Sequence, residues 1–424
     1  MTTDLGRGRM VVAPWSPTHA PSLVRMGLVR ITLIGMLPLV ILASSPQRVP
    51  LSIALAIGYF FASILITRPS PANSPGLVYA IVAATFMALS LLRAQFTSGL
   101  TADQHEYALA KGIYFIFAVL PLSAAISLLV VRIQDLKPAV VAFVIMGLTL
   151  ALLTITLRNP GLLGEERYTW QGNLIAISVL LLFQLWVIRR FWAGVSLGLI
   201  CLVGVTLTLS RQSMVGLAIG LVVMSLYWLI ADRSGIVGRR SARLRRMWLV
   251  PVIVVAGIGL WLVLSFRVAA GLGGPNFIQD PNGCNCVAGR IIALSQSLGD
   301  RDQLPIQGWL LFVQNPIFGA GLGSFVNMVP GYNYPHNVAL EVAGETGILG
   351  LLVFIGPLVL GGIRLFARGV RTQSREVSSL LAILLLFAVV ANLSGDIPSA
   401  RGLWIFGLLA LKFGFSPAEQ YPRA

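Results

Sequence analysis

Twelve apolar stretches, most of them near the length that carries a helix across a bilayer, recur along this 424-residue chain and leave little sequence between them. They occupy residues 31–45, 50–67, 76–92, 112–131, 138–157, 172–188, 191–209, 212–231, 248–266, 347–366, 377–393 and 402–415. Inside hydrocarbon every backbone N–H and C=O must find its partner within the protein, so segments of this kind fold as helices. With 56% hydrophobic and 11% charged residues, the chain does not have the composition of a soluble globular domain. The expected architecture is an all-α polytopic membrane protein of about 12 transmembrane helices, with residues 1–424 forming a single integral membrane domain.

The net charge of +16 would suit a nucleic-acid binder if it formed a patch, but its distribution follows the membrane instead. With both termini cytoplasmic, 21 of the 31 basic residues and 5 of the 15 acidic ones fall on the inner side. The outer side then carries ten of each sign, so the whole excess sits inside, as topology requires, and no nucleic-acid partner is expected. Arg239, Arg240, Arg243, Arg245 and Arg246 form a cluster that anchors this topology against anionic lipid. At the N-terminus Arg25 and Arg30 flank an apolar segment that lacks a small-residue cleavage site, and the segment is expected to be retained.

One connection is long. Residues 267–335, between the ninth and tenth expected spans, form a large outer-side loop that begins GLGGPNFIQDPNGCNC and becomes helical over 304–314. Loops beyond about 15 residues are usually functional or disordered, and the tryptophan and aliphatics of IQGWLLF argue for a packed helix lying partly in the membrane. Cys284 and Cys286 form a Cys-x-Cys in this loop, yet the nearest histidine is fifty residues on, so no metal site is expected; Cys201 lies within an apolar run.

The same loop ends in Tyr334–Gly350, YPHNVALEVAGETGILG. Pro335 keeps Tyr334 out of helical geometry, and the following residues become fully apolar only after Gly347, as in a chain entering a membrane from solvent. On a straight helix Asn337, Glu341 and Glu345 share one ridge, with His336, Leu340 and Gly344 on the next. Two carboxylates four residues apart repel and call for water or a cation. Gly344, Gly347 and Gly350 leave a groove for another helix or a ligand. A lone histidine is often structural; an imidazole, an amide and two carboxylates at a bilayer edge also fit a functional site.

Cations join it from elsewhere in the outer sequence. Arg211 follows TLTLS between two spans, at a depth where an arginine either snorkels or binds an anion. Arg301 stands between Asp300 and Asp302, where a local ion pair is the plainer explanation, and Arg290 and Arg267 read equally as interface anchors. Gly319–Gly323, GAGLG, offers backbone N–H groups to a phosphate but is neither a Walker A loop nor a dinucleotide fingerprint. Arginines that grip phosphate bidentately and an imidazole that can take a hydroxyl proton suit a lipid-linked diphosphate substrate.

These segments resemble the O-antigen ligase and polymerase superfamily of bacterial polysaccharide assembly. The resemblance rests on TLSRQSMVGLAIG (Thr208–Gly220), on Arg301 followed fifteen residues later by Pro316 and GAGLGSF, and on PHNVALEVAGETGILG. It implies a fold like that of the C-type glycosyltransferases and inverting, metal-independent glycosyl transfer without a cofactor. The donor would be an undecaprenyl-diphosphate-linked glycan, the acceptor a glycan or lipid, and the place the outer side of the bacterial inner membrane. Residue by residue it makes His336 the catalytic base and gives Arg211 and Arg301 to the donor diphosphate. Asn337, Glu341, Glu345, Gly321 and Gly323 are its secondary residues. In one departure Pro305 stands where the family often has tryptophan, four residues after the loop arginine. Arg290 therefore remains beside Arg301 as a match, with the spacing to Pro316 favouring Arg301.

The resemblance leaves ligation of a finished chain and polymerisation of repeat units both open. A transporter or flippase is the reading from another class, and it requires charged groups at mid-depth. The expected spans place none there, although Pro121 and Pro357 are positioned to kink their helices.

Overall fold

The structure is a computed structural model that describes residues 20–43, 49–67, 75–96, 101–157, 168–186, 191–208, 210–233, 303–329, 331–372 and 374–416. Among these residues regular structure is helical throughout. In chain order the helices are α1 (Ala20–Gly35), α2 (Leu37–Ala43), α3 (Val49–Thr67), α4 (Pro75–Phe96), α5 (Ala102–Tyr114), α6 (Leu120–Leu129), α7 (Lys137–Leu157) and α8 (Tyr168–Trp186). They continue as α9 (Phe191–Leu207), α10 (Arg211–Arg233), α11 (Gln303–Gln314), α12 (Val338–Gly350), α13 (Gly356–Thr372), α14 (Arg375–Ser394) and α15 (Arg401–Phe415).

Among the described residues, six helical segments are long and apolar enough to cross a membrane: Val49–Thr67, Pro75–Phe96, Ala102–Leu129, Ile133–Leu157, Val338–Thr372 and Glu376–Ser394. Shorter apolar helices cover Thr169–Leu182, Ser196–Leu207 and Gln212–Tyr227. The expected stretch at 31–45 falls on two helices broken at Met36, and that at 248–266 lies outside the described residues, as do residues 267–302 of the long outer loop. α15 does not face lipid. Every residue from Arg401 to Gly414 is buried, with α4, α6, α13 and α14 packed around it.

Two helices change gait where proline demands it. Phe115–Val119 and Leu351–Ile355 are π-helical, and each lies just ahead of a proline, Pro121 or Pro357. Proline lacks an N–H and crowds the carbonyl four residues back, and a wider turn relieves both problems. The two π segments face each other across the core. The Phe354 ring meets those of Phe86, Phe115 and Trp404 edge-on at 5.6, 5.7 and 6.2 Å, and the Tyr79 hydroxyl donates to the Phe354 carbonyl at 2.9 Å.

Polar contacts collect at the two ends of the bundle. On α15, Arg401 and Lys412 are separated by about 16 Å of helix rise. Lys412 donates to the carbonyls of Ser127 and Val130 at 2.5 and 2.9 Å, capping the C-terminus of α6. Near it Arg30 pairs with Asp135 and donates to the Leu129 carbonyl. At the other end Arg401 donates to the Ile41 carbonyl at 2.9 Å and stacks on Trp170 at 4.7 Å.

Candidate functional site

The site is built on the N-terminus of α12. Asn337 precedes the helix with extended φ and ψ of −149° and 109°, and its Oδ1 accepts from the Leu340 N–H at 3.0 Å, an ordinary asparagine N-cap. Its Nδ2 donates to the Asn392 carbonyl at 3.0 Å, while the Asn392 Oδ1 accepts from the Ala339 N–H at 3.2 Å. This mutual clasp fixes the start of α12 against the C-terminal turn of α14.

His336 lies outside the helix. The expectation of a His336–Leu340–Gly344 ridge is therefore corrected, because the cap at Asn337 ends helical geometry one residue after the histidine. His336 is the one described non-glycine residue with positive φ, at 55°. That left-handed conformation costs a bulky side chain free energy and persists where the surroundings hold it, as at many functional sites. The half-buried imidazole sits between Tyr334 and Tyr332, with ring centroids at 4.4 and 6.2 Å.

One turn further on, the acidic pair is not at a wet edge. Glu341 and Glu345 are fully buried, and the cation that their spacing demands is Lys111 of α5. The Lys111 Nζ contacts the Glu341 carboxylate and lies 2.6 Å from Glu345 Oε2; Glu341 Oε2 also accepts the Ile397 N–H at 2.7 Å. Burial of three charges is costly, and mutual pairing with added hydrogen bonds offsets it. With an ammonium already between the carboxylates, this pair ties α5, α12 and the loop after α14 together and is not laid out to take a metal cation.

The Gly-rich turn also does something other than the sequence suggested. Gly347, at φ 69° and ψ −165°, breaks the helix, which opens the two rungs from Ile348 N–H to Gly344 C=O and from Leu349 N–H to Glu345 C=O. The turn before α12 fills both. Ala320 and Gly321 donate to the Gly344 and Glu345 carbonyls at 2.8 and 3.0 Å, and the Pro316 and Ile317 carbonyls accept from Ile348 and Leu349 at 2.8 and 3.4 Å. The Gly319 N–H bonds to the Asn315 carbonyl at 3.0 Å. Two N–H groups expected to face a phosphate thus hold the protein's own helix, and a third closes the turn on itself.

Glycine is needed for this approach. A Cβ on Gly319 would lie 2.3 Å from the Glu345 carbonyl carbon, and one on Gly347 would lie 2.2 Å from the Ile317 oxygen. The Gly344 edge is closed by α11, whose Leu311 and Gly308 would stand within 3.3 Å of an added Cβ. The groove read from Gly344 and Gly347 is therefore occupied by α11 and the turn behind it. Gly323, at φ 77°, sets the turn against Ala108 of α5, one helical turn from Lys111.

Arg211 is the first residue of α10. Next to it Gln212 accepts from the Ser394 hydroxyl, and Ser213 donates to Asn173 at 2.7 Å. Ser394 is two residues from Asn392, so the starts of α10 and α12 converge on the same end of α14. The structure brings the chain positions of Arg211 and His336 to one end of the bundle, joined through Asn392–Ser394. Arg290 and Arg301 lie outside the described residues.

Sequence reading passed over Lys111, Asn392 and the buried Arg401. For Lys111 a signal existed: two carboxylates on one ridge require a positive partner, and Lys111, which the charge partition assigns to the same side, stands at the edge of an apolar run. Lys111, Glu341, Glu345, Arg401 and Lys412 are all buried, and they lie outside or near the ends of the expected spans rather than at mid-depth.

Residues 197–355 match the family model described as O-antigen ligase. The matched segment holds most of α9, with α10, the Gly-rich turn, His336 and the acidic pair, whereas Lys111 and Asn392 lie on either side of it. No curated protein matches the chain.

Proposed function

From the match of residues 197–355 to the family model described as O-antigen ligase, we propose that the chain belongs to the O-antigen ligase/polymerase family and transfers a glycan from a polyprenyl diphosphate to an acceptor hydroxyl. The chain sits in the bacterial inner membrane with both termini cytoplasmic, and the reaction takes place at the outer side. The observation that supports this most directly is the convergence of the α10 and α12 starts, with Arg211 and His336, on Asn392–Ser394.

In this reading the acceptor oxygen attacks the anomeric carbon as the bond to the diphosphate breaks, inverting that centre. His336 takes the hydroxyl proton, and its fixed lead-in to α12 supplies the orientation that general-base catalysis needs. Arg211, with Arg301 or Arg290, neutralises the charge that grows on the departing diphosphate. Asn337 orients the histidine through the cap, and the locked pair of Glu341 and Glu345 holds the turn below it, with Gly321 closing the rung beside Glu345.

The test is transfer by purified protein in chelator, from a lipid-diphosphate glycan to candidate acceptors, with the product anomer read by NMR. A single glycan block joined to a lipid or core acceptor marks a ligase; lengthened lipid-linked chains mark a polymerase. The buried Lys111, Glu341 and Glu345 give a lipid-linked glycan transporter its one supporting observation. Movement of intact donor across a vesicle membrane, with no bond made or broken, would favour that reading.

A further inference from the structure

α11 is apolar on both sides. Leu304, Gly308 and Leu311 are buried; on the opposite face Ile306, Trp309, Leu310 and Val313 form a stripe that is 53, 53, 40 and 54% exposed. A surface helix facing water carries polar residues there, whereas the glutamines of α11, Gln303, Gln307 and Gln314, line one edge of that face and leave its centre apolar. The stripe runs on into the turn through Ile317 and Phe318, at 57 and 60% exposed.

This surface is continuous with the outward sides of two helices long enough to span a membrane. Arg93, near the end of α4, donates to the Phe318 and Gly319 carbonyls at 2.5 and 2.7 Å, and exposed Leu89, Leu92 and Phe96 lie on the same helix end. On α12 the Ile348 N–H donates to the Pro316 carbonyl, and Ile348 and, in the π segment that follows, Leu352 are exposed. A patch this apolar that joins lipid-facing helices is covered by the same medium that covers them.

We propose that α11 and Phe318 lie in the bilayer at the end of the bundle that carries His336, with Ile306, Trp309, Leu310 and Val313 among lipid acyl chains. The seat has a structural consequence. α11 leads directly into the turn that fills the open rungs at Gly347, so lipid contact on α11 fixes the depth of the helix that His336 precedes. The inference stands independently of glycosyl transfer.

Nitroxide labels on single cysteines decide it. Full-length protein carrying I306C, V313C or I317C, in a background with Cys201, Cys284 and Cys286 replaced by alanine, is placed in phosphatidylethanolamine–phosphatidylglycerol vesicles. Collision with oxygen and with a water-soluble nickel chelate is then compared with a label at the exposed Asp103. All three stripe labels are expected to favour oxygen over nickel several-fold more than the Asp103 label does. Nickel access equal to that at Asp103 would overturn the proposal, and so would shielding from both reagents, which would mean that protein covers the stripe. The three positions report separately, so one poorly folded variant leaves the other two decisive.

Discussion

Asn337 and Asn392 hold each other across α12 and α14: the Asn337 side chain donates to the Asn392 carbonyl at 3.0 Å, and the Asn392 side chain accepts from the Ala339 N–H two residues into the clasp. Because His336 immediately precedes Asn337, the clasp sets where the imidazole stands.

Asn337→Ala removes an N-cap and a tertiary hydrogen bond, a loss of about 1–3 kcal/mol. Thermal unfolding in detergent should show a lowered midpoint, with transfer reduced more than the remaining folded fraction explains. Asn337→Asp keeps the cap acceptor but not the Nδ2 donor and should fall between. The Asn337→Ala and Asn392→Ala effects should be less than additive, since both act through one joint.

Lys111→Met leaves two buried carboxylates without their cation and should destabilise by about 3–5 kcal/mol. Removing the carboxylate charges as well, in K111M/E341Q/E345Q, should restore much of the lost stability. Unfolding midpoints of the two variants in the same detergent check this; a triple variant no better than the single one would mean that Lys111 acts by packing alone.

Gly347→Ala and Gly319→Ala each force a Cβ into backbone at a left-handed position and should lower membrane-inserted yield sharply. Gly331→Ala is the comparison. It also has positive φ, 88°, but nothing lies within 4 Å of an added Cβ, so it should cost only about 1 kcal/mol. Comparable yields for all three would show that the filled rungs at Gly347 are not needed for folding.

Sidedness follows from the charge partition. In a cysteine-free background, Asp103→Cys should react with an impermeant maleimide in cells whose outer barrier has been opened, and Arg371→Cys only after the inner membrane is breached. Both residues are exposed and lie near opposite groups of polar contacts. Labelling in the reverse order would invert the topology and remove His336 from the outer side.

Much of this architecture could be read from sequence because hydrocarbon imposes one solution on long apolar stretches, and the helices at 50–67, 76–92 and 138–157 lie where that rule puts them. His336, Asn337 and the acidic pair were visible because polar groups are conspicuous in such a chain. Their partners were not. Lys111 reaches Glu345 across 234 residues and Asn392 reaches Asn337 across 55, separations at which local periodicity carries no information. Gly344 and Gly347 of α12 signalled close approach correctly; what approached was α11 and the chain's own turn, which becomes apparent only once each backbone group at Gly347 has been assigned a partner.

The central claim is that His336 serves as the base in glycosyl transfer beside Arg211. Its most direct measurement is transfer from a polyprenyl-diphosphate glycan by purified His336→Ala, with Arg211→Ala in parallel, after both are shown to insert and unfold like the parent protein. The account predicts that both variants lose transfer by at least about a hundredfold, the scale of a lost general base. Near-parental rates in a folded His336→Ala protein would contradict it.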